Sequence, residues 1–146
     1  MAVKTHNPAM KSAPPTAIKL HRSSRLLELA YSDGRRYSLP CEYLRVFSPS
    51  AELQGHGLLE PMLIGGKRDV NIAAIEPVGQ YAVRLRFDDG HDTGLYSWDV
   101  LQRLGEDQDK NWARYLERLA QIGMSRDRDV TKLAALPKKY IPHAQN

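Results

Sequence analysis

An Asp-Gly pair set between two alternating runs constrains this chain more than any other feature in it. Tyr81, Val83, Leu85 and Phe87 alternate with Ala82, Arg84 and Arg86, and then Asp88-Asp89-Gly90-His91 breaks the pattern. A period of two marks a half-buried strand. Glycine takes positive φ at little steric cost, so Asp-Gly between two such runs predicts a hairpin. Asp92 to Tyr96 is the expected return strand, and Ser97 to Leu104 the expected short helix, closed by Gly105.

The same pattern occurs fifty-six places earlier, where Leu27, Leu29, Tyr31, Asp33 and Gly34 stand where Val83, Leu85, Phe87, Asp89 and Gly90 stand later. Arg36 to Leu39 returns from that first turn. Pro40 suits a helix start, where its missing N–H costs nothing, and Glu42 to Phe47 continues the helix until Ser48-Pro49 ends it. With one residue inserted in the return strand, Glu42 and Leu44 match Asp99 and Leu101, and each acid sits early in its helix, where it suits the helix dipole. Duplication and convergence on a common hairpin-helix solution both account for the echo. Either way, two similar units are expected to share one sheet.

The remaining segments are less regular. Residues 1–25 hold Pro8, Pro14 and Pro15 without periodicity and are expected to be a flexible basic arm. Ser48 to Lys67 is rich in Gly and Pro; a connection of that length is either functional or mobile. Asp69 to Ala74 is the expected fifth strand, with Val70, Ile72 and Ala74 on one face, before a turn at Glu76 to Gly79. From Asp107 or Asp109 a second helix is expected to run to Gly123, with Trp112, Tyr115, Leu116, Leu119 and Ile122 on its apolar face. Residues 125–146 are expected to be a loosely ordered tail.

Charge separates the ends from the middle. Residues 1–25 carry five Lys or Arg and no acid, whereas residues 26–105 carry eight against eleven acids. A nucleic-acid surface needs a basic stripe on the folded face, so the formal charge of +4 does not point to one. No apolar run is long enough to span a bilayer, and no signal-peptide core is present. One cysteine, Cys41, excludes an internal disulfide and a cysteine-rich metal cage within one chain. The expected location is cytoplasmic.

No catalytic constellation assembles. Asp88, Asp89 and Asp92 cluster, but an Asp-rich turn is first a turn, since paired catalytic carboxylates need a cleft that separates their pKa values. Gly-x-Ser-x-Gly, His-Glu-x-x-His and Walker-type loops are absent from the sequence. Gly65-Gly66-Lys67-Arg68 offers amides and two cations to an anion but precedes a strand, so the helix-borne phosphate mechanism does not apply. His56, between Gly55 and Gly57, is either an exposed loop residue or a binding residue. Cys41 lies beside a helix start, where a thiol pKa can fall, but a small half-buried packing residue is the commoner explanation for one Cys on a short helix.

At Tyr43-Leu44-Arg45, Ser48-Pro49-Ser50 and Asp89-Gly90-His91 the chain resembles the small N-terminal domain of γ-butyrobetaine hydroxylase-type dioxygenases. That domain also occurs as stand-alone bacterial proteins and appended to some iron–sulfur-carrier ATPases. The likeness covers Leu26 to Gly105. The helix end, the Gly-His-Gly loop, the Gly-Lys-Arg strand entry, the Asp-Gly-His turn and the Tyr96-Ser97-Trp98 helix start follow in the family's order. In the hydroxylases a Cys-Pro-Cys, a further Cys and the turn His hold a structural zinc. Here Ser48, Ser50 and Leu53 take the cysteine positions and only His91 remains, so the resemblance implies no zinc, because neutral Ser is a poor ligand and Leu none. The iron-binding dioxygenase domain is a separate, larger unit, and nothing after Gly105 is long enough to supply it.

The expected fold is therefore α+β: a small, mostly antiparallel sheet built from two β-hairpin–helix units, with an added C-terminal helix. Its divisions are 1–25, 26–105, 106–124 and 125–146. The expected function is a non-catalytic accessory or protein-interaction module, without a cofactor, whose binding residues are Arg45, His56, Lys67, Arg68, Asp89 and His91. The alternative is a helper in iron–sulfur or metalloprotein maturation, with two chains sharing a cluster through Cys41, His91 or His56.

Overall fold

The computed structural model describes residues 12–49 and 63–128. Two successive units have the same order. The first is β1 (Ala17–His21), β2 (Leu26–Ala30), β3 (Arg36–Pro40) and helix α1 (Cys41–Val46). The second is β4 (Ile72–Val78), β5 (Ala82–Phe87), β6 (Gly94–Ser97) and helix α2 (Trp98–Glu106), after which α3 (Gln108–Gln121) follows. All strand pairs are antiparallel, in two three-stranded sheets ordered β1-β2-β3 and β4-β5-β6. The α+β expectation holds, but the units do not share one sheet. They share a core: Leu27, Leu29 and Leu39 of the first sheet pack in one buried cluster with Ile72, Val83, Leu85 and Tyr96 of the second.

Two boundaries move. Residues 17–21, expected in the basic arm, form β1, paired along β2 from Ala17↔Ala30 to His21↔Leu26. Ile18 and Leu20 pack against the core, but two apolar residues beside a Pro-rich stretch are too short a pattern to stand out. Residues 125–128, expected in the tail, are held by backbone and side-chain bonds to the 66–68 segment. The strand expected over Asp69–Ala74 begins instead at Ile72 and runs to Val78, with a register shift between Ile72 and Ala74. Pro77 lies within it, as an edge strand permits.

The echo in the sequence is real in the backbone. Gly34 and Gly90 both have φ of 94°. In the first turn, Gly34 N–H donates to Tyr31 O (3.0 Å) and Tyr31 N–H to Arg35 O (2.9 Å). In the second, Gly90 N–H donates to Phe87 O (3.2 Å) and Phe87 N–H to His91 O (2.9 Å). Each Asp caps its turn, Asp33 accepting from Arg35 N–H at 3.1 Å and Asp89 from His91 N–H at 3.0 Å. The helix starts match as well: Cys41 N–H donates to Arg25 O, and Trp98 N–H to Tyr81 O.

Between the units, α1 is buried at Cys41, Glu42, Tyr43, Leu44 and Val46. Two tyrosines tie it to the second unit: Tyr43 Oη donates to Leu104 O (2.7 Å) and Tyr96 Oη to Leu44 O (2.5 Å). Another junction joins the sheets. Arg22 donates to the carbonyls of Ile72 and Ala73, while Asn71 Nδ2 donates to Arg22 O.

The helical segment differs from expectation in two respects. Gly105 does not close α2 but lies inside it, because the Tyr37 ring crosses that point: a Cβ on Gly105 would stand 2.5 Å from the ring. The break falls two residues later, at Asp107. On α3, Tyr115 and Leu119 are buried, but Leu116 and Ile122 remain 39% and 59% exposed, so the buried stripe is narrower than the spacing suggested. Gly105→Ala tests the close approach. Helix propensity alone would stabilise by about 1 kcal/mol, whereas overpacking costs roughly 1–3 kcal/mol. The expected outcome in urea unfolding is a net loss of up to about 2 kcal/mol; a gain would show that Tyr37 moves aside freely.

Candidate functional site

The second turn gathers charge. Asp89 Oδ2 accepts from Arg45 Nε at 2.8 Å and from Lys67 Nζ at 2.6 Å. Arg45 comes from the end of α1, Lys67 from the segment entering the second unit, and the hairpin turn supplies the acid between them. Asp89 Oδ1 caps its own turn through His91 N–H, which leaves that carboxylate satisfied at both oxygens. His91 Nε2 is 2.9 Å from Ser48 Oγ, and Ser48 is itself only 5% exposed. Hydrogen bonds to an ionised acceptor are shorter and stronger than neutral ones.

The electrostatics follow from this geometry. Burial works against charge on Asp89, but hydrogen bonds from Lys67, the His91 amide and Arg45 outweigh it, and the carboxyl falls from 3.8 to about 2. Burial lowers the His91 pKa, the Arg45 charge lowers it further, and Asp89 and Asp92 oppose the shift. The cluster is built to keep Asp89 charged and His91 neutral.

Four of the six expected site residues, Arg45, Lys67, Asp89 and His91, therefore meet at one place. Arg68 does not join them; its guanidinium pairs with Asp127. The anion site read from Gly65 to Arg68 has its donors engaged within the chain: Gly66 N–H on Ser125 O, Arg68 N–H on Arg126 O, Lys67 on Asp89. His56 lies outside the described residues, as do Ser50 and Leu53. Cys41 is fully buried, with Sγ 3.6 Å from Asn71 Oδ1, and desolvation pushes its thiol pKa up. A cluster shared between chains needs an exposed thiolate, so Cys41 is not available for one. Among the described residues no three His, Cys, Asp or Glu side chains are placed to hold a metal ion, and no helix is long and apolar enough to cross a membrane.

Two contributors went unread in the sequence. Asn71 accepts from the Cys41 thiol and from Ile72 N–H, and its backbone pairs with Asp88. Arg126 forks onto Glu42. The partners that matter, Cys41 for Asn71 and Glu42 for Arg126, lie far away in sequence.

The cluster's three sources, α1, the entry to the second unit and the Asp-Gly-His turn, all fall within residues 18–102, which match the family model described as gamma-butyrobetaine hydroxylase-like, N-terminal. The chain belongs to that family. Its match begins inside β1, in agreement with the strand seen there. Two relatives solved by NMR in solution are similar to the gamma-butyrobetaine hydroxylase-like chain described here. One is 52% identical with a TM-score of 0.70, covering 80% of this chain and 91% of its own. The other is 51% identical with a TM-score of 0.72, covering 83% and 90%. A protein of unknown function from Acidithiobacillus ferrooxidans, assigned to the DUF971 family, is 36% identical with a TM-score of 0.52 and is matched over 98% of its length and 64% of this one. That relative is itself a small protein made of this domain. No curated protein matches the chain.

The lowered pKa of Asp89 makes a linkage prediction. A carboxyl with a depressed folded pKa contributes stability that is present above its unfolded value and lost as pH falls through the folded one. The contribution is of order 1–2 kcal/mol after allowance for partial exposure, lost between about pH 4 and pH 2. Carbon-detected NMR titration is expected to find Asp89 near pH 2 in the wild type and near 4 after Arg45→Ala with Lys67→Ala. A wild-type midpoint near 4 would show that the two cations do not hold it.

Proposed function

We propose that this protein is a non-catalytic interaction module of the cytoplasm that binds another protein through residues 48–67 together with the Arg45–Lys67–Asp89–His91 clamp. The observation that carries this reading is the clamp itself. Ser48, before residues 50–62, is bonded to His91, and Lys67, after them, is bonded to Asp89. One turn thus holds both flanks of a Gly- and Pro-rich segment, and a segment fixed at both ends loses less entropy on binding. The resemblance adds support, because the family position held here by Ser48 carries a zinc-ligating cysteine in the hydroxylases. In this reading a Ser48–His91 hydrogen bond takes over the tie that a metal makes there, since two hydroxyls and a leucine do not supply thiolate donors.

A protein partner fits better than nucleic acid because the nearby cations are few and already engaged: Arg45 and Lys67 share the single carboxylate of Asp89, which leaves one net positive charge, and Arg68 pairs with Asp127. Phosphate binding draws on uncompensated basic groups. The maturation-helper alternative is favoured by no contact in this site, since its thiol is buried.

Quantitative co-purification of full-length protein from native lysate tests the module, with His56→Ala and Arg45→Ala made separately. His56→Ala is expected to leave the melting temperature unchanged and to reduce one reproducible set of partners about tenfold, as removal of a binding hot spot does. Arg45→Ala is expected to reduce the same set. A partner list unchanged from the wild type in both variants would sink the assignment.

A further inference from the structure

We infer that Ser125–Asp127 is a latch that holds down the segment Leu63–Arg68, with the Arg126–Glu42 pair as its catch. This rests on contacts away from the clamp and does not depend on what the segment binds.

The latch is placed by the end of α3. Gly123, with φ of 71°, turns the chain back. Met124 N–H donates to Leu119 O and Gly123 N–H to Ala120 O, the paired bonds of a Schellman cap. The chain therefore leaves the helix heading across its own last turns and meets the 63–68 segment. There Gly66 N–H donates to Ser125 O (2.9 Å) and Arg68 N–H to Arg126 O (3.0 Å). Tyr115 Oη, reaching up from α3, donates to Ile64 O at 2.7 Å. Gly65 allows the approach, since a Cβ on it would lie 2.4 Å from Ser125 O.

The catch is stronger than these backbone bonds. Arg126 Nε and Nη2 donate to the two carboxylate oxygens of Glu42 at 2.8 and 2.7 Å, a bidentate fork of the kind that fixes geometry as well as charge. Glu42 is 5% exposed, on a helix packed into the core. The guanidinium also lies over the Trp112 ring, its Cζ 5.2 Å from the centroid. By contrast Arg68–Asp127 is an exposed pair, and such pairs contribute little. One side chain, Arg126, thus connects α1, α3 and the exit of the Gly-rich segment. Displacing it loosens the backbone bonds at Gly66 and Arg68 while Lys67 stays on Asp89 and neither sheet opens.

Amide hydrogen exchange on the full chain, read by NMR, tests this. Arg126→Ala is expected to speed exchange at Gly66 and Arg68 about tenfold more than at Val83 and Leu85 in the central strand, the signature of local opening superposed on any global loss. Arg126→Ala leaves a buried carboxylate without a partner, which destabilises strongly. The double substitution Glu42→Gln with Arg126→Gln removes both charges and is expected to show the same local pattern. Gly65→Ala, which presses on the latch from the other side, is expected to reproduce it. Unchanged exchange at Gly66 and Arg68 in the double variant would overturn the latch. So would acceleration of all four amides together, which would mean that Arg126 supports the whole fold and no local latch.

Discussion

Helix α1 is only six residues long and almost wholly buried, and these two facts together set the terms for the rest of the molecule. A helix of that length does not persist on its own propensity, and its ends leave backbone groups without partners. Buried polar groups must be satisfied or they cost free energy. The required partners arrive from every side. Arg25 accepts from the Cys41 amide, Tyr96 donates to the Leu44 carbonyl, and Arg126 neutralises Glu42. The two sheets are held at a fixed separation because both must reach this helix, one from its own chain continuation and the other through Tyr96.

Much of the local structure could be read in the sequence because the residues concerned decide their own conformation. Gly34 and Gly90 sit in the left-handed region that the Asp-Gly reading required, and the apolar members of β2 and β5 face the core as their alternation implied. What escaped was set by distant residues. Two similar units do not reveal whether their edges pair or their faces pack, and that choice rests on side chains such as Tyr96 reaching across. Gly105 read as a helix stop because glycine usually is one there. Tyr37, sixty-eight places earlier, makes it a packing residue.

The candidate site was legible to a similar depth. Arg45, Lys67, Asp89 and His91 were drawn together by a turn that both reading and resemblance singled out. Arg68 was grouped with Lys67 because the two are adjacent, yet a turn begins at Arg68, closed by Val70 N–H on Lys67 O. Lys67 faces Asp89 and Arg68 faces Asp127. Arg126 left no such trace, since an Arg in a stretch read as a loosely ordered tail looks solvated until its partner is known.

Pro77 lies in β4, which among the described residues has β5 on one side and no strand on the other within its sheet, and the same strand carries the register shift at Ile72–Ala74. A proline has no N–H to lend to a neighbour, and a bulge bends the rim away from the straight line that a newcomer would need. This border is therefore a poor template for another chain. Extended peptides and sister molecules cannot lengthen the sheet there by main-chain pairing, so recognition at that side must proceed through side chains.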